Sequence, residues 1–278
     1  MVEVERTLYH LQVMKAKNNA ETNLINRLKD FFGSVFNNVL RNLSRLGRVP
    51  SDDVTRSSIV SDLRNSIDAM SSVVFDEVEP AAQAARIKLI NDLRLQGRQL
   101  ARSTLPSTTV DLLRNQVFIA SQSTIRRMTG DVMEVLADSY SRGLGIYDTT
   151  RRLESVFEDM RGWELERIAR TEIQGSQNLS SYMSDIELGV TYHMWMTALD
   201  NRVRGLGRYD RANHIALHGQ IVRVGEPFSN GLQYPGDRNA PISEWINCRC
   251  FTVPYLMPLG SAAPNASYFY EGDLLSVV

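Results

Sequence analysis

The sequence predicts a mainly α N-terminal region of long helices followed by a small α+β module with short strands and long loops. Two observations predict the first part. Apolar residues recur at helical spacing from Leu11 to Leu188, and Gly or Pro interrupts that pattern only at well-separated points. A third observation predicts the second part: after Gly189 the pattern drifts toward alternation, β-branched and aromatic residues gather, and Gly and Pro cluster between short runs.

The helices follow in order. Leu24, Leu28, Phe31–Phe32, Val35–Phe36, Val39–Leu40 and Leu43 form one stripe, with Arg27, Lys29, Asn37 and Arg41 off it. Gly47 stops this helix and Pro50 reinforces the break. Ser51 or Asp52 is the candidate N-cap of a second helix carrying Ile59, Leu63, Ile67, Met70 and Val74. A third is expected over Ala81 to Leu100, with Ile87, Ile90 and Leu93 inward and Pro80 in the first turn, where a missing N–H is harmless.

Ser103 to Pro106 reads as a turn. A long helix from Thr109 to Tyr140 carries Leu112–Leu113, Val117, Ile125, Met128, Val132 and Leu136, and Gly143-Leu-Gly145 breaks it. Asp148 is then expected to cap a helix bearing Leu153, Val156 and Phe157, and Trp163 to Leu188 is helical again. The Phe31 to Phe36 cluster reads as core more readily than as a partner-binding knob, because it keeps helical spacing. Arg41, Arg45 and Arg48 read as a solvated helix end, where cations suit the negative end of the macrodipole.

Val190 to Thr197, Ile221 to Val224 and Cys250 to Val253 are the strand candidates. After Pro254 the composition shifts to Pro, Gly and small residues around Tyr268-Phe-Tyr270, an irregular tail. The expected organisation is a helical region over 1–142, the module over 143–253, and the tail over 254–278.

Composition narrows the function classes. A hydrophobic share of 43% and a charged share of 23% are those of a globular protein, and a net charge of −1 offers no whole-chain attraction for nucleic acid. Two cysteines one residue apart cannot build a disulfide framework, which favours a reducing compartment. The acidic start Met1-Val-Glu-Val-Glu-Arg is unlike a signal peptide, and no segment approaches the roughly 20 apolar residues of a membrane span.

The candidate chemistry lies between Trp195 and Cys250, which hold both cysteines between them with His214, His218 and Trp245. His214 and His218, spaced i and i+4, would share a face of a helical turn. Cys248 and Cys250 would share a face of an extended segment. Together the four could complete a tetrahedral structural zinc site. The alternative is that the thiols are small buried apolar groups and the histidines make hydrogen bonds. A nucleophilic Cys248 or Cys250 with His214 and Asp200 lacks any known cysteine-enzyme signature. A phosphodiesterase or nuclease would use His214 or His218 with Arg202 and Arg204 on phosphate.

Trp195 and Trp245 read as core area for the module, and Asn247 and Pro235-Gly-Asp237 as loop-shaping residues. The ordered motifs Ile168-Ala-Arg-Thr-Glu172, Trp195, Asp200-x-Arg202-x-Arg204, His214-x-x-x-x-Gly219, Pro227–Phe228, Pro235-Gly-Asp237 and Asn247-Cys-Arg-Cys250 resemble the phage head morphogenesis family of Mu F-type minor head proteins. The resemblance runs from the Gly143 region to Val253. Gly205 to Asn213 is a polar insertion relative to the family, and Glu244–Trp245 stands where a family His often precedes the Cys-x-Cys pair.

The resemblance implies a structural, non-enzymatic protein of the virion, made in the host cytoplasm and joining the head near the portal vertex. It implies the portal protein as partner, with major capsid or scaffold proteins and packaged DNA as further contacts, and work in prohead assembly and genome retention or ejection. No membrane is implied. A DNA-binding protein inside the head is the other alternative, which the balanced charge does not favour. Within that frame Arg170, Glu172, Asp200, Arg202, Arg204 and Asn247 read as a structural polar network clamping the helices to the module.

Overall fold

Helix α1 (Val2–Leu46) is the longest element, and its apolar stripe supplies the N-terminal core: Leu24, Leu28, Phe32, Val35, Phe36, Val39 and Leu43 are buried. A computed structural model describes residues 2–95, 103–198, 200, 202–205, 207 and 209–255. Gly47 follows α1 with φ +70, the left-handed cap position that glycine fills without a steric penalty. The Asp52 side chain then accepts from the Thr55 N–H and caps α2 (Asp53–Ile59), which α3 (Ser61–Arg64) follows after one residue. Phe36 packs on Phe157 with centroids 4.3 Å apart, so the Phe31 to Phe36 cluster serves the core chiefly through Phe32 and Phe36.

Helix α4 (Ile67–Leu95) corrects two expectations. The stretch from Ile59 to Val74 is broken into α2, α3 and the start of α4, and Pro80 lies inside α4 instead of opening a new helix. Buried Met70, Val74, Val78, Ala81–Ala82, Leu89 and Leu93 keep one helical phase across Pro80. Packing along that unbroken stripe outweighs the ~3 kcal/mol that an interior proline costs. The expected end of that helix at 96–100 lies outside the described residues, as does the tail from 256 onward.

Helix α5 (Ser107–Ser141) ends where Gly143, at φ +68, closes the cap through Gly143 N–H to Tyr140 and Leu144 N–H to Ser139. Helix α6 (Ile146–Asp159) starts two residues before Asp148. That residue therefore sits in the first turn, where its charge suits the dipole, and not at the cap. A π-turn (Met160–Glu164) kinked at Gly162 leads into α7 (Leu165–Glu187).

The chain forms two compact units, Met1–Glu77 with Asp111–Ala169 and Val78–Val110 with Arg170–Val278. These divisions fall within α4, α5 and α7, whereas the sequence reading places one boundary after residue 142. Long helices that contribute one end to each unit leave no Gly- or Pro-rich linker for a sequence to reveal.

In the first unit Arg27 bridges Asp76 and Glu77, and Arg127 bridges Asp131 and Glu164. In the second, Ser180 on α7 donates to the Ala82 carbonyl of α4 at 2.7 Å. Buried Arg86 donates to Ser184 and pairs with Glu187. Gly189, at φ +66, ends α7 and turns the chain into a three-stranded antiparallel sheet. Strand β1 (Tyr192–Met196) is central between β2 (Ile221–Arg223) and β3 (Phe251–Tyr255).

His193 opposes Val222 on one side and Pro254 on the other. Pro254 is tolerated because β3 is an edge strand. Trp195, Leu217, Val222, Phe228, Leu232, Cys248 and Cys250 form the core of this module. Trp245 is only half-buried and lies under the Arg238 guanidinium. No helix among the described residues is long and apolar enough to cross a membrane.

Candidate functional site

The core of the module holds a polar cluster. His214 precedes a one-turn 3₁₀-helix (Ile215–Leu217), and its backbone N–H donates to the Arg204 carbonyl at 2.9 Å. Arg204 in turn donates its guanidinium to the Glu244 and Ile246 carbonyls. The short helix α8 (Ile242–Trp245) brings Glu244 to the other edge of the imidazole, with Glu244 Oε2 3.1 Å from His214 Nε2. His214 Nδ1 faces both sulfurs, 3.5 Å from Cys248 Sγ and 3.6 Å from Cys250 Sγ. All three residues are buried, and their ligand atoms lie within 4.8 Å of one another.

The two thiols reach one nitrogen for a local reason. Residues i and i+2 of an extended segment share a face, so Cys248 and Cys250 point together while Arg249 points the other way and pairs with Asp200. Asn247 starts the segment with φ +55, the left-handed conformation that asparagine tolerates well. Its N–H donates to Thr171 Oγ1 at 2.9 Å.

The electrostatics follow from this geometry. Burial opposes a charge on His214, but the hydrogen bond and charge of Cys248 and the hydrogen bond to Glu244 outweigh it, so its pKa lies above the ordinary imidazole value. The Cys250 hydrogen bond and His214 pull the Cys248 thiol well below the ordinary thiol range, against the effect of burial. With both cysteine residues only 3% exposed, the thiols offer no approach to a substrate.

His218 does not join them. It stands just beyond the 3₁₀ turn with φ −58 and ψ 125, and its Nδ1 accepts from the Thr197 N–H at 3.1 Å. The expected shared helical face fails because a 3₁₀ turn has three residues per turn and ends before His218, so i and i+4 do not superpose.

The six network residues all lie in the second compact unit, and two contacts join members of the set, whereas Glu172 and Arg204 reach partners outside it. Arg170 donates to Asn247 Oδ1 at 2.9 Å, and Glu172 pairs with Arg238 at 2.7 Å. Asp200 pairs with Arg249 and accepts the Arg202 backbone N–H, while the Arg202 residue is exposed. A helix face thus grips the module one turn at a time. Gln174 and Asn178 donate to the Cys250 carbonyl, and Asn178 also reaches the Pro235 carbonyl. Gly236, at φ +92, lets that loop approach, since a Cβ there would stand 3.2 Å from Gly175 Cα. Asp237 shapes the same loop by accepting from the N–H groups of Gln233 and Asn239.

Residues 130–253 match the family model described as phage Mu protein F like protein. This segment belongs to that family. The family is one of phage head morphogenesis, and its proteins are structural. No curated protein and no solved structure matches the chain.

Within the Mu F-like segment, sequence reasoning missed Gln174, Asn178, Arg238 and Glu244. The first two had a usable signal: Arg170, Gln174 and Asn178 repeat every four residues, which places three polar side chains on one helix face. Arg238 and Glu244 sit in loop and one-turn segments whose spacing carries no periodic signal.

Proposed function

We propose that this chain is a minor head protein of a tailed phage that associates with the portal protein and acts in prohead assembly and in genome retention or ejection. The observation that carries this reading is the inward use of the Mu F-like motif. The Arg170, Arg204, Arg238 and Arg249 side chains donate to groups of their own chain, and the thiols are buried. Guanidinium groups committed to carbonyls and carboxylates build a rigid module, the form a particle component requires. Portal, capsid or scaffold proteins are the partners this role implies, at the portal vertex.

Co-expression with the portal protein of the same phage tests the reading. A complex that survives size exclusion, with this chain also recovered in proheads, is the expected result. A chain that binds neither isolated portal nor portal-containing proheads overturns it.

A further inference from the structure

The geometry points to His214 Nδ1, Cys248 Sγ and Cys250 Sγ as the protein ligands of one zinc-class divalent ion, with Glu244 holding the imidazole and His218 taking no part. The distances carry the argument. A tetrahedral zinc with sulfur ligands near ~2.3 Å and a nitrogen near ~2.0 Å separates sulfur from nitrogen by about 3.6 Å. The two sulfurs lie 3.5 and 3.6 Å from Nδ1.

One imidazole nitrogen carries one lone pair or one proton, so a hydrogen bond would favour one sulfur over the other. Equal approach by two thiols is the arrangement in which all three atoms face a common centre. The far edge of the ring supports the same reading. A ligating histidine usually donates its other N–H to a carboxylate, which fixes ring orientation and tautomer, and Glu244 Oε2 stands 3.1 Å from Nε2. Asn230 Nδ2 donates to that same oxygen at 3.1 Å and fixes the carboxylate.

Three separate loops converge here, bearing Arg204, His214 and Glu244 to Cys250, in a module whose sheet has only three short strands. A structural ion ties such loops together where apolar core is scarce. Trp195 packs edge-on to His214 with centroids 5.4 Å apart, and its buried indole N–H has no acceptor among the described residues. The described residues supply three ligand atoms to the ion.

The test uses the untagged full chain, purified without chelators. About one equivalent of zinc is expected, and X-ray absorption should show two sulfur scatterers near ~2.3 Å. Replacing zinc by cobalt(II) should give thiolate-to-cobalt absorption. H214A, C248S and C250S should each weaken cobalt affinity at least 100-fold. E244Q should weaken it about 10- to 100-fold, and H218N should leave it within about threefold. Should the ligand variants fail to fold, the cobalt spectrum and X-ray absorption of the unaltered chain still decide. Folded protein without stoichiometric metal and without a thiolate–cobalt band overturns the proposal. Loss of metal in H218N equal to that in H214A overturns the ligand set.

Discussion

Gln174 and Asn178, one turn apart on α7, donate to the same acceptor, the carbonyl oxygen of Cys250, at 2.7 and 2.9 Å. This convergence fixes the start of β3 and the second cysteine against the helix. The two amides are not equivalent, because Asn178 alone also serves the Pro235 carbonyl at 2.7 Å. Leaving a buried acceptor unpaired costs about 1–3 kcal/mol. N178A is therefore expected to destabilise by about 3 kcal/mol and Q174A by about 1 kcal/mol. Urea unfolding of the purified variants checks the order, and equal losses would contradict it.

Glu172 and Arg170 differ in how deeply they are committed. Glu172 is buried and pairs with Arg238, whereas the Arg170–Asn247 contact is solvent-exposed. Removing one partner of a buried pair leaves an uncompensated charge and costs about 3–5 kcal/mol, while exposed contacts are worth under about 1 kcal/mol. R238A should lower stability severely and R170A only slightly. Thermal melting of the two variants is the check, and similar melting temperatures would refute the ranking.

Two glycines separate conformational strain from steric contact. Gly231 and Gly236 both have positive φ, but only at Gly236 would a Cβ meet backbone, 3.2 Å from Gly175 Cα. G231A is expected to cost about 1–2 kcal/mol, the penalty of a left-handed alanine. G236A should cost more, because helix and loop must move apart and the Asn178 hydrogen bond stretches. Unfolding free energies of the two alanine variants measure the difference.

Buried His193 and Asp185 lie 3.8 Å apart and predict a pH signature. Burial lowers the His193 pKa from 6.5 to about 4 and raises the Asp185 carboxyl well above 3.8. Below pH 6.5 the unfolded imidazole binds a proton that the folded one refuses, while above about 4 the folded carboxyl keeps a proton that the unfolded one loses, so the two groups' contributions to the pH slope oppose one another. D185N removes one side of this balance. The unfolded imidazole then binds a proton that the folded one refuses, and stability falls as pH drops from 6.5 to 4, by about 1.4 kcal/mol per pH unit. H193Q leaves a folded carboxyl protonated where the unfolded one is not, so stability falls as pH rises above about 4. Denaturant unfolding against pH, each variant compared with the unaltered chain, measures both slopes.

Much of this architecture was legible before any coordinates. The stripe from Leu24 to Leu43, the stops at Gly47, Gly143 and Gly189, and all three strands are read directly from periodicity and turn chemistry. Pro80 misled because local propensity favours a helix start, while the stripe from Met70 to Leu93 holds one continuous helix through it. At the site, the alternation of Cys248 and Cys250 was readable because strand geometry is local. The failure of His218 to join His214 was not, since it depends on one 3₁₀ turn ending a residue early. The position of Glu244 depends on how loops 30 residues apart meet, which no spacing rule encodes.

A place in the phage head beside the portal is measured most directly in the protein composition of purified particles of the phage that encodes this chain. Quantitative mass spectrometry of proheads and mature heads is expected to find it at a small fraction of the major capsid copy number, and to lose it from heads assembled without portal. Heads that contain portal and capsid and package DNA normally, yet never contain this chain, would rule out the proposed role.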